Sequence, residues 1–175
     1  MSDTPHNSAY DILAFIFDDK DRALEVSEEI KDDAETGDYK IIANAVVEVD
    51  ANGKPHVHEA GHGGRGTGIG VAAGGLLGLI GGPVGLLFWA AAGGVVGCLI
   101  GKHSGQAIPP DDLKELAAEM KPNTSAILAM VEDTESEALI GDMKGYTTNV
   151  VTLTVGDEAS GEIAQAVSAE TTAKA

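Results

Sequence analysis

Residues 66–101 contain no charged side chain, although Asp, Glu, Lys and Arg make up 22% of the 175-residue chain. Of these 36 residues, 13 are glycine and 21 are apolar. Gly66, Gly70, Gly74, Gly78 and Gly82 recur at every fourth position. After Pro83, Gly93, Gly97, Gly101 and Gly105 repeat that period. Residues four apart share one face of a helix, so each column of glycines makes a flat strip on which another backbone can approach closely. A helical glycine costs roughly 1 kcal/mol relative to alanine, so such a column needs compensation from packing. A flexible linker is a poor reading, because linkers are polar and rich in serine. The turn at Gly81, Gly82 and Pro83 divides the segment into helices of about 66–81 and 84–101, and their glycine faces are expected to meet in a helical hairpin, a glycine zipper. That leaves Leu76, Leu79, Ile80, Leu87, Phe88, Trp89, Val95, Val96 and Leu99 as the outward apolar ridge, facing lipid or neighbouring subunits.

The two helices would reach roughly 24 and 27 Å at 1.5 Å per residue. A bilayer's hydrocarbon core is about 30 Å thick, so each helix is marginal as a span. Arg65 and Lys102 stand just outside the two ends and fall on one side of a hairpin whose turn is uncharged. This is the arrangement that the positive-inside rule predicts for a hairpin anchored from the cytoplasm. The amino terminus lacks the basic and apolar regions of a secretory signal. Cys98, the one cysteine, excludes a disulfide within the chain, and both features fit a reducing cytoplasm.

The remainder is strongly acidic. Residues 1–50 carry 14 acids and 4 bases, and residues 102–175 carry 13 acids and 5 bases, within a net charge of −17. Nucleic acid is excluded as a partner, because Lys and Arg must neutralise its phosphates. A head of this charge is also kept off anionic lipid.

Outside the glycine segment the pattern is that of alternating strands and helices. Residues 10–17 read as a buried apolar strand. A helix follows Asp18 and Asp19, with Ala23, Val26 and Ile30 on one face, and residues 40–49 read as a second strand before a turn at Asp50–Gly53. Pro109, Pro110, Asp111 and Asp112 open another helix, which Pro122 and Asn123 stop. A third strand at 124–132, a short helix at 134–144 and a β-branched strand at 146–155 complete the series, with a weaker helix from residue 158. The expected fold is α+β: a ferredoxin-like βαβ-βαβ antiparallel sheet, helices on one face, with an inserted glycine-zipper hairpin. The first half occupies 10–53, the insert 54–105, a helix and the second half 106–155, and a short acidic helix and tail 156–175.

Few residues suggest chemistry. His58-Glu59-Ala60-Gly61-His62 matches the H-E-x-x-H pattern of zinc proteases, which requires both histidines on one helix. Pro55 before it and Gly61, Gly63 and Gly64 within and after it oppose that helix. A softer expectation is a metal or pH-sensing cluster at the neck of the hairpin. His56 and His58 would share a face of an extended segment, while His62 and His103 flank the hairpin's ends. The competing reading is exposed polar residues in a loop. No catalytic residue and no cofactor is expected.

The sequence resembles the bacterial family catalogued as domain of unknown function 1269, often labelled membrane protein of unknown function. The resemblance rests on FDDKDRALEVSEEI after the first strand, NAVVEVDANGK, GGLLGLIGGPVGLLFWAAAGGVVG, IPPDDLKELAAEMKPNTSAILAMVE and MKGYTTNVVTLTV, in that order across residues 10–168. It implies a ferredoxin-like domain carrying a glycine-zipper hairpin and brings no assigned activity. Where that pattern has Lys-Pro-Gly, this chain has Lys121-Pro122-Asn123, and asparagine also accepts a left-handed turn. The expectation is a non-enzymatic protein whose partners are membrane lipid, copies of itself, or both, with its head in the cytoplasm. The alternatives are a cytoplasmic soluble oligomer that packs its hairpins together without lipid, and a small-ligand or metal-sensing domain.

Overall fold

The computed structural model describes residues 10–30, 39–53, 55–58, 108–161 and 163–164. They form an α+β fold built on one five-stranded antiparallel sheet. In chain order the elements are β1 (Tyr10–Phe17), α1 (Arg22–Glu29), β2 (Ala43–Val49), β3 (Pro55–His58), α2 (Pro110–Glu119), β4 (Ser125–Glu132), α3 (Ser136–Met143) and β5 (Asn149–Thr154). A single 3₁₀ turn, Asp133–Glu135, leads into α3, and residues 157–161 and 163–164 are helical.

The strand order across the sheet is β3-β2-β4-β1-β5. Strand β1 is central. It pairs with β4 from Tyr10↔Glu132 to Phe17↔Ser125 and with β5 from Asp11↔Thr154 to Ile16↔Asn149. Its run YDILAFIF lacks alternation because both faces of the sheet are covered. Ile12, Ala14 and Ile16 pack on one face with Leu113, Leu116 and Met120 of α2. Leu13, Phe15 and Phe17 pack on the other with Ala23 and Val26 of α1 and Leu139 and Met143 of α3.

Helices on a single face were expected, and α1 and α3 do share one. Helix α2 lies on the opposite face, where Ala159, Ile163 and Ala164 also pack. Two carboxylates fasten α2 near strand β5: Asp112 Oδ2 accepts from Thr154 N at 3.0 Å, and Glu119 Oε2 accepts from Asn149 Nδ2 at 3.0 Å. The sheet was also expected to have four strands. The fifth, β3, lies within residues 54–105 assigned above to the insert, and it pairs with β2 from Val46↔His58 to Val49↔Pro55.

Two loops obey local rules. Gly53 adopts φ +77°, and its N–H donates to Asp50 C=O at 2.9 Å, which closes the β2–β3 turn. Asn123 adopts φ +64° in the position where a glycine was anticipated. Its N–H donates to Val49 C=O at 2.9 Å, tying the α2–β4 loop to the end of β2.

Candidate functional site on the β2–β3 edge

The functional side chains that the sequence singled out and the structure describes are His56 and His58, both on edge strand β3. Period-two geometry places them on one face of the strand. The antiparallel register sets His56 opposite Glu48 and His58 opposite Val46. Val46 belongs to the cluster under α1 and α3, so Glu48, two residues on, projects to that same side.

Each histidine has its own carboxylate. His58 Nε2 lies 3.0 Å from Glu48 Oε2, and His56 Nε2 lies 3.1 Å from Asp50 Oδ2. An ionised carboxylate only accepts, so each contact is a hydrogen bond in the tautomer that carries its proton on Nε2. Glu48 is the more enclosed acid, with its side chain 19% exposed, and Lys20 Nζ stands 3.8 Å from its other oxygen. Lys20 in turn donates to Asp21 Oδ1 at 2.8 Å. That hydrogen bond and the charge of Asp21 hold the Lys20 ammonium above its ordinary range, with smaller contributions from Glu48 and Asp19 working against desolvation. The result is a chain of polar contacts from the start of α1 to the end of β3. Asp50 has a second task, since its Oδ1 accepts from Asn52 N at 2.8 Å and shapes the turn.

This arrangement pairs the histidines separately and does not converge them. Among the described residues no group of three or more His, Cys, Asp or Glu side chains is placed to hold a metal ion. His62 and His103 lie outside the described residues. So do the zipper positions Gly66, Gly70, Gly74, Gly78, Gly82, Gly93, Gly97, Gly101 and Gly105, and the ridge Leu76, Leu79, Ile80, Leu87, Phe88, Trp89, Val95, Val96 and Leu99. The zinc-protease pattern fails at its first residue, because His58 closes a β-strand where that chemistry needs a helix. Among the described residues no helix is long and apolar enough to cross a membrane.

The family model described as "Protein of unknown function (DUF1269)" matches residues 67–168, more than half of the chain. This chain belongs to the DUF1269 family. The matched stretch takes in the uncharged segment, α2, β4, α3, β5 and the helical residues after it. Its two strands, β4 and β5, are not neighbours in the sheet, because β1 lies between them. The DUF1269 match therefore covers part of a sheet that is complete only with the strand at residues 10–17. No curated protein and no solved structure matches the chain.

The partners Glu48 and Asp50 were not anticipated. His56 and His58 stand out in the sequence as a pair at spacing two, but which acids meet them depends on the β2–β3 register, which the turn at Asp50–Gly53 sets.

Proposed function

We propose that this DUF1269 protein is a non-enzymatic anchor or assembly unit. In this reading an acidic, ferredoxin-like head presents a glycine-zipper hairpin that associates with membrane lipid and with copies of itself. The observation that carries it is the uncharged segment 66–101, with glycine at every fourth position and Arg65 and Lys102 at its borders.

The head supports the reading by what it leaves over. Its apolar side chains are consumed on the two faces of the sheet, and among the described residues Leu24 is the single large hydrophobic side chain that is exposed. Among its described residues the head thus offers no large exposed apolar face for the ridge of the hairpin, and an apolar surface of that size is rarely left in water. The strand order supports the ferredoxin-like part. With the edge strand β3 set aside, β1-α1-β2 and β4-α3-β5 interleave as two split β-α-β units in the order β2-β4-β1-β5. The cytoplasmic placement of the head rests on the basic residues at the neck and on the single cysteine.

Flotation of the purified chain with neutral phosphatidylcholine vesicles tests lipid association, and carbonate extraction of cell membranes tests insertion. Co-flotation and retention in the extracted pellet are expected. Recovery entirely in the soluble fractions of both experiments refutes the lipid part and leaves self-association. Gly74→Leu and Gly97→Leu test that remainder, since each puts a branched side chain into the strip where backbones meet. Both should change oligomer size on a sizing column, and an unchanged profile for both counts against the zipper.

A further inference from the structure

We propose that Asn52, at the tip of the β2–β3 turn, is a site of spontaneous deamidation and isoaspartate formation in the folded protein. The chain has five asparagines, and they precede Ser8, Ala45, Gly53, Thr124 and Val150. Asn52 alone is followed by glycine, the residue that obstructs attack on the side-chain carbonyl least. It is exposed, whereas Asn44 and Asn149 are half-buried in paired strands with β2–β4 and β1–β5 partners, and Asn123 is held by its bond to Val49.

The reaction needs only water. The Gly53 amide nitrogen loses its proton and attacks Cγ of Asn52, forming a C–N bond. The Cγ–Nδ2 bond breaks and the amide nitrogen leaves as ammonia, giving a five-membered imide. Water then opens the imide at either carbonyl. Opening at the main-chain carbonyl yields isoaspartate, with the chain routed through the former side chain, and opening at the other yields aspartate.

Two hydrogen bonds set the barrier in the native state. Gly53 N–H donates to Asp50 C=O at 2.9 Å, and Asn52 N–H donates to Asp50 Oδ1 at 2.8 Å. The nucleophile is released when this exposed turn opens, a local event that needs no unfolding of the sheet. The positive φ of Gly53 matters here, since a β-carbon at that position would be strained as well as obstructive. The consequence falls on the neighbouring site. Isoaspartate adds a methylene to the main chain between Val49 and Pro55, which are register partners, and either product adds a carboxylate beside Asp50, the partner of His56.

The test is incubation of the intact native chain at mildly alkaline pH, followed by peptide mapping with mass spectrometry and labelling by an isoaspartyl methyltransferase. Loss of the Asn52 peptide to two isomeric products is expected, the isoaspartyl one accepting label, while the peptides of Asn44, Asn123 and Asn149 are unchanged. Asn52→Gln should abolish the labelling and leave the far-ultraviolet circular dichroism as it was. The proposal is overturned if Asn52 survives in the native chain as long as the other asparagines do, whether or not it converts in urea. Vesicle binding and oligomer size do not enter this readout, so it stands or falls separately from the anchoring function.

Discussion

Replacing Ser125 with alanine should destabilise the head by an amount that its geometry allows to be worked out. Ser125 opens β4 and is fully buried. Its Oγ donates to the carbonyl of Asp19 and accepts from Ala23 N at 3.0 Å. It therefore caps α1 from 102 positions away in sequence, in place of the N-cap residue Asp21, whose side chain makes no capping bond. In the alanine variant the Ala23 N–H, on a residue with no exposure, loses its partner in a dry environment. A stranded buried donor costs about 1–3 kcal/mol, and loss of an N-cap costs about 1 kcal/mol. Both figures describe the same N–H, so they are not added. The Asp19 carbonyl sits on an exposed residue and can regain water. The expected loss is about 2 kcal/mol, a large part of the roughly 5–15 kcal/mol that holds a domain folded. For a chain of this length that corresponds to roughly 4–8 °C in melting temperature. Urea unfolding followed by circular dichroism measures it, with an unchanged m-value showing that the unfolded surface is the same. Ser27→Ala is the control. It removes the same atom from a half-buried residue whose Oγ makes a solvent-exposed bond to Leu24 C=O at 2.8 Å, and it should stay within about 0.5 kcal/mol of the parent, as surface substitutions do. A Ser125→Ala variant as stable as the Ser27→Ala variant would refute the assignment of Ser125 as the cap.

Three further expectations concern turn, pH and membrane chemistry. Asn123 stands at φ +64°, so Asn123→Gly should be neutral or slightly stabilising, whereas Asn123→Val should lose about 1–2 kcal/mol, the cost of a left-handed conformation for a residue with a bulky β-carbon; urea midpoints measure both. Burial raises the Tyr10 phenol above its ordinary 10.0, and the charge of Glu132 adds to the shift. The folded state then holds the proton at a pH where the unfolded state has released it. Stability is accordingly intact below pH 10.0 and falls as pH rises from there through the folded value, and Tyr10→Phe should flatten that decline in alkaline urea titrations. If the proposed hairpin is anchored from the cytoplasm, Arg65→Glu together with Lys102→Glu should reduce carbonate-resistant membrane association, since basic residues at the neck favour that orientation; unaltered extraction would detach orientation from the neck.

Much of the head was legible because its signals are local. The strand at 10–17 has the bounds expected from its apolar run, and β4 and β5 fall within the expected stretches. The proline pair at the start of α2, Pro109 as its cap and Pro110 as its first residue, and the Pro122-Asn123 stop after it bracket the helix as their backbone preferences require. The β2–β3 edge was legible by halves. Alternation put His56 and His58 together, while Glu48, Asp50 and Lys20 entered only through pairing.

The sequence by itself determined where most of the described strands and helices form, that Asn123 can replace a glycine, and that residues 66–101 are uncharged and glycine-periodic. Each of these follows from conformational preferences and spacings that act within a few residues. The tertiary structure decided which elements meet. It placed α2 on the face opposite α1 and α3, because an unbroken apolar run in β1 specifies burial on both sides without saying what supplies the cover. It made a strand of Pro55–His58, four residues too short and polar to declare themselves, because the Asp50–Gly53 turn folds them onto the open edge of β2. It gave Ser125 a helix to cap and each histidine its own carboxylate, because those bonds join groups brought within reach only when the sheet is assembled in its register.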